Sequence, residues 1–271
     1  MKIEVLDTSA EVSLASSIVT KLETLNTYME SLSNTKFQKL PDDEPIDLLA
    51  KIGDLLDNMI SITPLIGMKI SALTEGLAKR FVNFEKTHKN LLSMIHDREQ
   101  SRVQPNTIAT QYDEEHLISR FEFSPYGSEV SGIQMIQITD PARYSNLSLI
   151  KQIEMSGEDL PEIRRRILDN LIVMEKKHIP LLIQGINQDR DLLGSAEMSC
   201  LLSNDPQKRE NIRFECLCKQ GVVLAFINDL KKTIQIVNEL AHNYAVYSQV
   251  VQSYTTVTLE SVYSPSNIIT Y

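Results

Sequence analysis

Apolar positions along this chain recur mostly in steps of three and four, the spacing that keeps side chains on one face of an α-helix. Ala15, Ile18, Leu22, Leu25, Met29 and Leu32 make the first such row. Ahead of it, Thr8-Ser9-Ala10-Glu11 has the form of a capping box, which predicts a helix starting there. A polar stretch follows over residues 33–45, ending in Pro41-Asp42-Asp43-Glu44-Pro45, and is expected to be a loop.

Ile46, Leu49, Ile52, Leu56, Met59 and Ile60 predict a second helix. Thr63-Pro64 then reads as an N-cap with proline at the first helical position, where a missing N–H costs nothing. A third helix is therefore expected from there to about Gln100, along Ile66, Ile70, Leu73, Leu77, Phe81, Phe84, His88, Leu91 and Ile95. Past Pro105 the period changes to two. Leu117, Ser119, Phe121 and Phe123, a turn over Ser124-Pro125-Tyr126-Gly127-Ser128, and a second run from Ile133 to Thr139 predict a β-hairpin.

Asp159-Leu160-Pro161-Glu162 repeats the capping logic, with Ile163, Ile167, Leu171, Met174 and His178 following on one face. Pro180 should kink or end that helix, with Leu181 to Leu193 as a continuation. From Gln207 to about Tyr263 there is no proline and one glycine, Gly221, so one very long helix or two abutting ones can form. Val223, Ile227, Leu230, Ile234, Val237, Ala241, Tyr244, Ser248 and Val251 hold a coiled-coil register there over about four heptads.

The charge pattern changes what this last helix is expected to do. From Thr233 to the C-terminus the charged side chains are Glu239 and Glu260, whereas a solvated coiled coil carries Lys and Glu on its flanks. Such a helix is expected to be surrounded on more than one side, by its own bundle or by other subunits. Val223, Ile227, Leu230, Ile234, Val237, Ala241, Tyr244 and Val251 are accordingly the candidate interaction residues.

The expected fold is mainly α: an elongated helical bundle with long coiled-coil-like helices and one small β-hairpin insertion. Residues 1–104 form an N-terminal helical region, 105–156 a hairpin-containing connector, and 157–271 a C-terminal helical region continuing the same bundle. With 271 residues, 42% of them hydrophobic, the chain can bury a sizeable core. A net charge of −9 argues against general attraction to nucleic-acid backbones or anionic lipid. No run approaches the length of an apolar membrane span, and the first residues, with Glu4 and Asp7, do not read as an export signal. A reducing cytoplasm, or a virion assembled in one, is the expected location, since Cys200, Cys216 and Cys218 are odd in number and clustered.

Catalytic, cofactor and metal sites are not expected. Cys216 and Cys218 project about 200° apart on a helix and do not converge on one ion. His88, His96, His116, His178 and His242 are scattered, without a metal-binding spacing. Arg164-Arg165-Arg166, near Lys176 and Lys177, points around a helix rather than to one side, so it reads as a solvated face or as salt bridges between subunits rather than as an acidic or nucleic-acid contact. Ser195-Ala196-Glu197 is similar to the small-x-Glu sites cut by capsid-maturation proteases of large tailed phages, and Ser156-Gly157-Glu158 has the same form.

These features lead to the expectation of a non-enzymatic structural or assembly protein, working through helix packing against protein partners, as an oligomer or within a phage or viral particle. The terminal Asn267-Ile268-Ile269-Thr270-Tyr271 suits strand addition to a partner. Two alternatives stand beside it: a secreted bacterial effector or translocator with membrane- or chaperone-associating helices, and an enzyme whose carboxylates face one another inside a bundle.

Overall fold

A computed structural model describes residues 6–34, 45–101, 128–130, 133–135, 149–194 and 206–262. It is almost entirely helical. The helices are α1 (Ser9–Asn34), α2 (Pro45–Ser101), α3 (Leu149–Val173), a π turn (Met174–His178), α4 (Ile179–Leu193) and α5 (Pro206–Val262). Both α2 and α5 are 57 residues long, which at ~1.5 Å per residue makes rods of ~85 Å.

Cross-helix contacts give the topology. Lys69 Nζ donates to Ser17 Oγ at 2.7 Å and Arg80 to Glu11 at 2.9 Å, so α1 and α2 run antiparallel. Arg190 meets Asp57 at 2.7 Å and Arg164 meets Glu85 at 2.6 Å, so the α3–π–α4 rod is antiparallel to α2. Lys231 reaches Glu23 at 3.0 Å, and Thr233, Ile234 and Val237 share a crevice with Glu11, Val12 and Ala15, which makes α5 antiparallel to α1. The rings of His178 and Phe226 lie 5.5 Å apart, closing the fourth side. The result is an up-down-up-down four-helix bundle with one continuous apolar core contributed by every rod.

The expected apolar rows line that core, but the prolines do not punctuate it as the sequence suggested. The helix predicted to start at Thr63-Pro64 is the middle of α2, which runs through Pro64. Proline at a helix interior costs about 3 kcal/mol. Here Met59, Ile66 and Ile70 are all buried, so a break would remove one flank of the row from the core. Thr63, expected to cap the helix, instead donates its hydroxyl to the carbonyl of Met59 at 2.7 Å. In the same way α3 starts at Leu149, not at Asp159, and passes through Pro161 with Leu160 and Ile163 buried on either side. Tertiary burial overrides the local start signal at both places.

Pro180 acts differently. It lacks the N–H owed to Lys176, and its ring crowds that carbonyl. The chain widens into a π turn just before it, and the Ile179 N–H donates to the Met174 carbonyl, five residues back. This extra residue changes which side chains face inward. The row Ile163, Ile167, Leu171 and Met174 continues as Ile179, Leu182 and Ile186, so Ile179 takes the place expected of His178.

The capping box at the start of α1 is also rearranged. The Ser9 N–H is accepted by Asp7 Oδ1 at 2.9 Å, and the Glu11 carboxylate is engaged by Arg80 rather than by its own helix start. Between α2 and α3 the described residues include two three-residue strands, β1 (Ser128–Val130) and β2 (Ile133–Met135), antiparallel with Val130 opposite Ile133. The strand expected over Leu117–Phe123 lies outside the described residues, and Ser128, expected in a turn, is in β1. No helix among the described residues is long and apolar enough to cross a membrane.

Candidate interaction surface

Helix α5 positions the residues singled out from its register, and they lie within the protein's own bundle. Val223, Ile227, Leu230, Val237, Tyr244 and Val251 are buried, while Ile234 and Ala241 are partly buried against the same core. The Ser248 hydroxyl donates to the Tyr244 carbonyl at 2.6 Å, as a small hydroxyl inside a helix does when no other acceptor is near.

The buried arc is wider than a two-position seam. Ala225, Phe226, Asp229, Thr233, Ile236, Leu240, Tyr247 and Val250 are buried too, so more than half of the circumference of α5 is covered. These positions fall between the steps of the three-four row, and only for those from Thr233 onward does the low charge signal burial in the sequence. At the centre of the arc, Tyr244 stacks on Phe84 with centroids 5.6 Å apart and meets Tyr247 edge-on at 6.0 Å. Burial pushes the Tyr244 hydroxyl up to about 12, against a hydrogen bond with Ser156. His88 lies on the same cluster, its Nδ1 3.5 Å from Tyr244 Oη, and burial holds its pKa below the ordinary value.

A second face of α5 carries apolar side chains that its own bundle leaves in solvent. Phe214 is 65% exposed, Leu217 45% and Leu224 43%, and Gly221 between them is exposed with open space around the position of a Cβ. The steps of three, four and three set Phe214, Leu217, Gly221 and Leu224 along one stripe. Nothing in the described fold requires glycine at 221, where alanine favours a helix by about 1 kcal/mol. The stripe begins N-terminal to the α5 row that starts at Val223, and an apolar spacing alone does not say which face is covered.

The remaining candidates separate. Cys216 is buried and Cys218 exposed, as opposite projections require, and burial followed by the Asp189 charge pushes the Cys216 thiol up to about 11. Cys200 and His116 lie outside the described residues, and His96 and His242 are exposed. Among the described residues no group of three or more His, Cys, Asp or Glu is placed to hold a metal ion. The arginine run disperses into ion pairs: Arg164 with Glu85, and Arg165 and Arg166 both with Glu162, whose carboxyl they hold down to about 2. A small, half-open apolar crevice lies beside Leu73, Leu77 and Val237. Ser156-Gly157-Glu158 is inside α3, with Ser156 buried, and does not present a peptide for cleavage; Ser195-Ala196-Glu197 lies outside the described residues.

No family model, curated protein or solved structure matches this chain.

Proposed function

We propose that this chain is a non-enzymatic structural or assembly protein that joins a partner chain through helix packing. The observation that carries the reading is the stripe Phe214, Leu217, Gly221, Leu224, apolar and solvent-facing on the bundle's longest class of helix. An exposed apolar strip of this kind costs solubility unless something covers it. Its helical spacing fits another helix, and the bare backbone at Gly221 lets two helices approach closely, in the manner of a coiled-coil-like seam. In this reading the inward arc of α5 holds the chain together and the outward stripe holds the assembly.

A phage or viral particle is the narrower form of the proposal. It rests on the small-x-Glu sequence at Ser195-Ala196-Glu197 and the apolar terminal segment Asn267 to Tyr271.

Sedimentation of the native chain with whatever co-purifies is the test. A species heavier than the 30.7 kDa chain, or a stoichiometric second protein, supports the proposal. A 30.7 kDa monomer at all concentrations with no companion overturns it, and flotation with neutral or anionic liposomes would move the stripe to a membrane role instead.

A further inference from the structure

Asp229 lies in the middle of α5 with 2% of its surface exposed, and neither carboxylate oxygen has a hydrogen-bond partner. Phe226, Ile227 and Leu230 are buried around it on the same helix. Thr233, one turn on, donates its hydroxyl to the backbone carbonyl of Asp229 and not to the carboxylate. Lys232 is three residues away, yet its Nζ is itself buried without a hydrogen-bond partner, so the two have not closed into an ion pair.

The ionisable groups at this level of the bundle are engaged elsewhere or stand off. On α1, Glu23 holds Lys231, and Lys21 makes no described bond to Asp229. On α2, Lys69 donates to Ser17. In the π turn, Lys176 pairs with Glu175, Lys177 is exposed, and the His178 ring packs on Phe226.

An ionised carboxylate buried without a partner costs several kcal/mol, and gaining a proton is the least expensive relief. We propose that Asp229 is a proton-operated lock on α5: protonated, it is seated and the helix is tight; ionised, it strains its turn and loosens the bundle. Burial pushes its carboxyl up to about 6, with the Lys232 charge opposing the shift. Because the folded value is raised above the ordinary one, the stabilisation is complete below about 4 and is lost as pH rises through about 6. His88 and His178, both lowered by burial, titrate with the opposite sign, so the lock is read as a difference between variants.

The test compares wild type with Asp229→Asn, which is neutral at every pH and nearly the same shape. Amide exchange over residues 225–233, corrected for intrinsic rates, is measured at pH 5 and pH 7.5. The wild type should lose about tenfold more protection than the variant over this interval, as a shift from about 4 to about 6 requires. Equal changes in the two proteins overturn the proposal. If Asp229→Asn does not fold, the ¹³C titration of the wild-type carboxyl decides: a midpoint above 5 supports the lock, and one at 5 or below shows an ion pair with Lys232 in its place.

Discussion

The imidazole of His88 occupies the space that any side chain at residue 157 would need: a Cβ on Gly157 would sit 1.8 Å from His88 Nε2. The same ring meets Tyr244 of α5 edge-on, with centroids 6.1 Å apart. A glycine that costs helix stability is thus what lets three rods meet.

Gly157→Ala is expected to lower stability by about 1–3 kcal/mol through overpacking. In a His88→Ala background the same change should be neutral or favourable by up to about 1 kcal/mol, since alanine is the better helix former. A double-mutant cycle by urea denaturation measures this coupling. Independent, additive effects would show that the close approach does not hold in solution.

Glu11 and Arg80 form a two-bonded pair, 2.9 and 3.1 Å, with both side chains mostly covered. Glu11→Gln leaves the guanidinium without its counter-charge and should cost about 1–3 kcal/mol, the upper range for buried pairs being discounted for the remaining exposure. Truncating either member of the exposed pair Lys79 and Glu75 should leave stability nearly unchanged. Thermal melts of Glu11→Gln and Glu75→Gln separate the two cases.

The histidine buried beside Tyr244 sets an acid limit. Burial lowers the pKa of His88, so the unfolded chain takes up a proton first and stability falls as pH drops below about 6.5. His88→Gln should remove part of that fall between pH 7 and pH 5. A wild type and variant with parallel stability curves would mean that His88 is not held in its buried seat.

The helical faces were legible because burial follows the three-four spacing, as Ile66, Ile70, Leu73 and Leu77 show. The punctuation was not. Pro64 and Pro161 carry real local costs, but the core on both flanks outweighs them, and a linear sequence does not display the core. The π turn at Met174–His178 has the same origin, since Pro180 announced a defect and only the row beyond it reveals that Ile179 moves inward. Glu11 and Arg80 are 69 residues apart, and their pairing depends on a topology that spacing alone does not specify. The three-four register of α5 marks an apolar face but not what covers it: the arc from Val223 onward faces the chain's own core, while Phe214, Leu217 and Leu224 face solvent.

That division of α5 into two faces yields paired variants with different readouts. Val237→Asp places a carboxylate at a position 1% exposed and should cost several kcal/mol, visible as lost helicity or a lowered melting temperature. Gln235→Lys and Gln249→Lys are at exposed positions and should change stability by less than about 0.5 kcal/mol.

The central claim, that the outward stripe joins chains while the inward arc holds the fold, is tested most directly by the native mass of Leu217→Asp beside wild type, with melting followed on the same samples. Wild type should run heavier than the 30.7 kDa chain or with a companion, and Leu217→Asp should run alone at 30.7 kDa with an unchanged melt. A Leu217→Asp variant that keeps the wild-type mass and companions would contradict that claim.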